Sequence, residues 1–216
     1  MARGRPQLHS RGAILDAARD LILQEGARAA TVGAVSKASG APKGSIYHRF
    51  ASLDDLLAEM WIRAMKRSQD AFIGALADPD ALSAAINAAL SISEFAQRHP
   101  ADARLLASLR REDLIESVAT AQLRRELERL NRPLEDALAE FSRRLYGNAS
   151  PEALERTVFA LVDLPIGATR RHLIAGTPLP PTLGRQLAAA VRAALVDSGA
   201  GRPTRRTRRG AADRRQ

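Results

Sequence analysis

Between residues 31 and 50 the chain reads TVGAVSKASGAPKGSIYHRF, which gathers hydroxyl, ammonium and imidazole groups at Thr31, Lys37, Lys43, Ser45, Tyr47 and His48. Such groups can donate hydrogen bonds to oxygen and ring-nitrogen acceptors. The spacing predicts a short helix from about Thr31 to Ser39, a turn at Gly40-Ala41-Pro42, and a second helix to about His48. That is the pattern of a helix-turn-helix, whose second helix enters the major groove of DNA. Residues at the start of such a helix face the base edges, so Lys43 and Ser45 are the candidates for base or nearby phosphate contacts. Gly44 would let the backbone approach closely, with no side chain in the way. Thr31 and Lys37 are placed to reach phosphates from the first of the two helices. Phosphate contacts position a protein, and base contacts carry the sequence information.

Catalysis finds little support. The chain has no cysteine, which excludes disulfides, thiolate nucleophiles and Cys-ligated metals. Its four histidines (His9, His48, His99 and His172) are scattered, with no paired-His spacing. No phosphate-cradling loop appears either, so neither an enzyme nor a bound metal or cofactor is expected.

Charge is distributed unevenly. The net charge is +9, but residues 1–50 hold eight Lys/Arg against three Asp/Glu, and residues 199–216 seven against one. The middle, 51–198, holds eighteen against twenty. Only the two ends therefore suggest a polyanionic partner, and a DNA-packaging protein would not explain the negative middle. Residues 1–8 form a basic arm expected to be mobile, in which Arg3 and Arg5 flank Gly4 before Pro6. This arm could lie in a minor groove or be only a solvated terminus. The Arg-rich tail, 199–216, has the composition of a disordered segment. It would either bind phosphates non-specifically or serve as a solubilising end.

The elements that must position these groups are helices throughout. Ser10 caps the first, with Ile14, Ala18, Leu21 and Ile22 on one face and Gly26 as its stop. Thr31 caps the second, whose Val32 and Val35 point back to the first. Pro42 suits the opening turn of the third, to which Ile46, Tyr47 and Phe50 are expected to supply core contacts. Ser52 opens a long amphipathic helix running through Leu53, Leu56, Leu57, Met60, Trp61, Met65, Phe72 and Leu76. Further helices are expected over 80–98 and 101–111. One or two follow over 112–146, with Pro133 a kink or a start. The last two run over about 151–175 and 182–197. With no strand-like alternation, the fold is all-α. The expected organisation is an arm (1–8), a helix-turn-helix domain (9–51), a larger helical domain (52–198) and a tail (199–216). Nothing approaches a membrane span, no membrane partner is expected, and a cytoplasmic location is the default.

These residues carry a family's pattern. LILQEGARAATV closing the first helix, VGAVSKASG, then PKGSIYHRF and the capped start at Ser52 together resemble the DNA-binding domain of the TetR family of bacterial repressors. The resemblance covers the first 50 to 60 residues. It implies that Tyr47 and His48 are a phosphate-contacting pair, the Tyr ring packed inward with its hydroxyl at the DNA backbone. Pro42 stands where many relatives carry a Ser or Thr cap, and Leu53 where many carry a basic residue. Each removes a phosphate contact that the arm and tail would have to replace.

For the second domain the resemblance implies ligand binding and a homodimer through the last two helices, reading a near-palindromic DNA operator. A small, largely apolar effector is expected. Trp61, Met65, Phe95, Phe141 and Phe159 are large groups placed either to line its pocket or to serve as plain core. Asp163 interrupts an apolar run, and Arg170 lies seven residues on, about 10 Å along the same face. A buried Asp163 would need a partner arginine from another helix, or would face a ligand. Pro165 should kink that helix and open space. The function expected is a ligand-released repressor. The alternative is a DNA-binding regulator, activating or partner-controlled, with no small-molecule inducer.

Overall fold

The structure of the protein is a computed structural model that describes residues 10–196. The arm with Arg3 and Arg5, and the Arg-rich tail, lie outside the described residues.

Short-range polar contacts set the helix boundaries. Helix α1 (Arg11–Glu25) begins where Ser10 Oγ accepts from the Ala13 amide at 3.1 Å and ends at Gly26. A single 3₁₀ turn, Ala27–Ala29, leads to Thr31. The Thr31 hydroxyl accepts from Ala34 N at 3.1 Å to open α2 (Val32–Ser39). Gly40, at φ 69°, makes the reversal into α3 (Lys43–Arg49), a left-handed position that a Cβ would strain. The Ser36 hydroxyl donates to Ala41 O at 2.7 Å and pins the turn from the other side. Pro42 offers no side-chain cap; its carbonyl accepts from the amides of Ser45 (2.9 Å) and Ile46 (3.2 Å).

Helix α4 (Leu53–Leu76) starts at Ser52, whose Oγ accepts from Asp55 N at 3.0 Å. It threads two cores. Its first half, from Leu56 to Ala64, joins Ile14, Ala18, Val35, Ile46 and Phe50 of the first three helices in one buried cluster. That cluster continues without a break into Leu105, Leu114 and Leu127 of the second half of the chain. Each such side chain, fully buried, contributes about 1.5–3 kcal/mol relative to exposure, so the small N-terminal unit gains its stability from the body behind it. The second half of α4, with Phe72 and Leu76, belongs to a separate cluster. Ala84, Ala85, Ala88 and Ala89 of α5 (Ala81–Arg98) form its small-residue face, packed with Leu138, Phe141, Leu161 and Val191.

Beyond α5 the chain is more divided than its periodicity indicates. Helix α6 runs Pro100–Ser108, and the expected one or two helices over 112–146 are three: α7 (Arg111–Ser117), α8 (Ala121–Arg129) and α9 (Arg132–Tyr146). The break before α8 is made from a distance. The buried carboxylate of Asp55 accepts from the amides of Ala119 (3.1 Å) and Thr120 (3.3 Å) and from the Thr120 hydroxyl, capping a helix that has no side-chain cap of its own. Pro133 starts α9 and kinks nothing.

Residues 151–175 are continuous but not uniform. Between α10 (Pro151–Val158) and α11 (Leu164–Ala175) lies a five-residue π turn, Phe159–Asp163, in which Leu164 N–H reaches back to Phe159 O. Pro165 follows directly. Lacking an N–H, it leaves the Leu161 carbonyl without its usual donor, and the widened turn accommodates that loss. Helix α12 (Leu183–Val196) closes the described chain.

Candidate nucleic-acid interface and ligand cavity

Helix α3 is anchored by Ile46 and Phe50, both nearly fully buried and four residues apart on one face. Its other faces are left outward. Lys43, Gly44, Tyr47 and His48 are exposed and Ser45 is half-buried, while Thr31 and Lys37 of α2 are exposed beside them. Tyr47, 58% exposed, is therefore not the core residue expected of it, because one residue past Ile46 turns about 100° around a helix, away from the buried face. Lys43 leans across to the first turn of α2. A methyl built at Gly33 would sit 3.7 Å from Lys43 Cε and 3.8 Å from both Lys43 Nζ and Thr31 Oγ1. An ammonium, a hydroxyl and a helix N-terminus thus converge, a combination that favours a phosphate oxygen. A methyl at Gly44 would meet nothing within 4 Å, so the fold itself does not demand glycine there.

Three sets of charged contacts fix this unit to α4 and beyond. Arg11 pairs with Glu59 of α4 and donates to the Arg49 carbonyl at the end of α3 (3.0 Å), its guanidinium 4.5 Å over the Phe50 ring. Arg63 of α4 reaches Asp16 of α1 at 2.6 Å. Arg19 of α1 (2.7 Å) and Arg67 of α4 (3.0 Å) both grip Asp102, buried in the first turn of α6. Burial opposes ionisation of Asp102, but the hydrogen bonds from the two arginines outweigh it and hold the carboxyl below its ordinary range. Sequence reasoning missed these ties. The legible signal was charge at helical spacing: Asp16 and Arg19 three apart on α1, and Glu59, Arg63 and Arg67 four apart on α4.

The cavity lies at the other end of α4. It has a volume of about 360 Å³ and is walled by α4, α5, α6, α9 and α11, with Met65, Phe72, Phe95, Leu106 and Leu173 among its apolar lining. Of the candidates for a pocket, Met65 and Phe95 are on this wall. Trp61 is not: it is 3% exposed in the core shared with α1–α3, and Phe141 is sealed in the second core. Phe159 and Asp163 are both corrected to the outer surface. Phe159 is 52% exposed and Asp163 is exposed beside it, along a shallow groove with Leu154, Val158, Ala193 and Ala194. Facing solvent, the Asp163 carboxylate needs no buried partner. Arg170 turns instead to α6, donating to the Ala107 carbonyl at 3.1 Å. Among the described residues no helix is long and apolar enough to cross a membrane.

Residues 14–60 match the family described as bacterial regulatory proteins, tetR family. No curated protein matches the chain by sequence. Solved structures resemble it over most of their length. The TetR family regulator PfmR from Thermus thermophilus is 19% identical, with a TM-score of 0.64 over 84% of this chain and 96% of that one. The fatty acid degradation regulator FadR from Bacillus halodurans is 16% identical, with a TM-score of 0.65 over 90% and 97%. FadR from Bacillus subtilis, solved in complex with stearoyl-CoA, is 13% identical, with a TM-score of 0.64 over 87% and 98%. At such identities the likeness is one of fold. Residues 14–60 thus carry the pattern of the tetR family's N-terminal domain, and the chain as a whole has a TetR-type fold, an N-terminal helix-turn-helix domain followed by a larger helical domain.

Proposed function

We propose that the protein is a homodimeric, sequence-specific repressor that leaves a near-palindromic operator when a small, largely apolar ligand enters the cavity. The observation that carries this reading is the dual role of α6. Its Ala103, Leu106 and Ala107 line the cavity, and its Asp102 holds Arg19 of α1 and Arg67 of α4. A ligand that displaces α6 acts on the helix that supports the recognition element, which is what coupling between two sites requires.

On the DNA side, Lys43 and Ser45 read bases, and Gly44 admits close backbone approach. Thr31, Lys37, Tyr47 and His48 contact phosphates. The unit of binding is residues 9–51, and 52–198 form the effector and dimer domain. Arg3 and Arg5 add minor-groove contacts, and the tail adds non-specific phosphate contacts, in place of those that Pro42 and Leu53 lack. The dimer forms through α10–α11 and α12, where an exposed Phe159 beside Val158 and Ala194 offers an apolar patch of the kind a second subunit covers.

Selection of bound sequences from random DNA with the full-length protein tests the reading. A palindromic consensus is expected, and absence of enrichment would exclude a sequence-specific dimer.

A further inference from the structure

The cavity wall carries charge of one sign only. Arg110 and Arg170 are among its lining residues, and no Asp or Glu of the described residues is. Arg170 spends one donor on a carbonyl, that of Ala107, and Arg110 pairs with Glu112 only at 3.8 Å, on an exposed surface. Beside Arg170 on the same wall, Thr169 is 2% exposed and its hydroxyl has no hydrogen-bond partner. A buried threonine in a helix ordinarily donates to the carbonyl four residues back. Thr157 does so in the preceding helix, to Ala153 O at 2.9 Å. The other polar lining groups are Ser68 and Gln69, and the Gln69 amide already donates to Asn131 at 3.0 Å. An unmet hydroxyl on the same wall as two arginines, in a chamber lined mostly by apolar groups, is the complement of a molecule with one anionic end.

We propose that the ligand is a single-chain carboxylate of medium length. Its chain lies among Met65, Phe72, Phe95 and Leu173, and its carboxylate meets Thr169 and Arg170, with Arg110 supplying further positive charge. This rests on the reading of the cavity as the effector site and specifies what that site selects. A carboxylate matches the planar fork of a guanidinium and can accept from a hydroxyl at the same time. Size follows from volume. At roughly 30 Å³ per water-sized unit, 360 Å³ holds about a dozen non-hydrogen atoms, the size of decanoate. The exposed Arg170 and the α6 carbonyl it holds place the head at the rim, so recognition of the acid and release of the Arg170–Ala107 contact are one event.

The test is calorimetric titration of the full-length protein with decanoate, decanol and decanoyl-CoA, the acid and the thioester below their micelle-forming concentrations and the alcohol below its solubility limit, repeated with Arg170→Gln and Thr169→Val. Decanoate should bind at least about tenfold more tightly than decanol, the scale of one charge-assisted pair. Its affinity should fall with added salt, while that of decanol should not. Arg170→Gln should weaken decanoate by about tenfold and leave decanol unchanged. Thr169→Val keeps the shape of the side chain and should weaken decanoate less. Equal binding of acid and alcohol, with Arg170→Gln affecting both alike, would overturn the carboxylate site while leaving an apolar effector site standing. Tight binding of the thioester without the free acid would overturn it as well. If no probe binds, the proposal fails whatever the DNA selection returns. The DNA reading is judged separately, by that selection.

Discussion

The grip on Asp102 offers the sharpest test of how the two halves of the molecule are joined. Asp102→Asn keeps shape and volume but removes the charge and replaces one acceptor oxygen with a donor facing a guanidinium. The loss is smaller than the roughly 3–5 kcal/mol typical of an orphaned buried charge, for two reasons visible in the structure. Arg67 is 47% exposed, so its half of the clasp is screened and contributes at most about 1 kcal/mol. Arg19 is only 15% exposed, but it retains Asp20 at 2.9 Å and Asp16 at 3.3 Å, so its charge is not stranded. The expected cost is about 2 kcal/mol, or a Tm lower by about 4–8 °C for a chain of this size. It also has a pH signature. The folded carboxyl titrates below its ordinary value, so the wild-type advantage is complete above that value and disappears as pH falls through the folded one. Urea unfolding of both proteins followed by circular dichroism, at about pH 7 and at steps into the acid range, reads both effects. Equal midpoints at neutral pH would refute the reasoning, and so would a gap that widened on acidification.

Other outcomes follow from the same geometry. Asp55→Ala removes the cap that α4 supplies to α8; it should cost about 2 kcal/mol and speed amide exchange at Ala119 and Thr120 before other positions. Unchanged exchange there would mean that the break before α8 does not depend on Asp55. Lys43→Ala should alter which sequences are selected from random DNA, whereas Tyr47→Phe should weaken all sites alike. If Lys43→Ala lowered affinity uniformly, Lys43 would be a phosphate contact. Phe159→Asp changes an exposed residue of the α10–α12 face and should leave helicity intact while shifting the protein from dimer to monomer in light scattering. A variant that remained dimeric would place the interface elsewhere.

Much of the fold was legible because helix ends are local events. Ser10, Thr31, Ser52 and Ser150 each accept a backbone amide three residues on, and Gly26, Gly40, Gly147 and Gly176 hold the positive φ that ends a helix. Those signals lie within a few residues of the feature they specify, and so did the ordered text from residue 14 to 60 that carries the family's pattern. The helix-turn-helix was readable for the same reason, and Lys43, Gly44 and His48 are exposed on its second helix.

What tertiary structure alone decided was which face of each helix is covered, and by what. Periodicity marks an apolar stripe but not its far partner. It set Tyr47 among core residues, and it made Phe159 and Asp163 candidates for an interior that the structure turns outward. The division of 112–146 was invisible because the cap before α8 comes from Asp55, 64 residues earlier. The union of Arg19, Arg67 and Asp102 was hidden in the same way: a charge on a helix reads as solvated until another helix, brought in by apolar burial, removes the water around it. In this chain the local text specifies the helix-turn-helix. Contacts between distant helices decide how that element is held against the rest of the molecule.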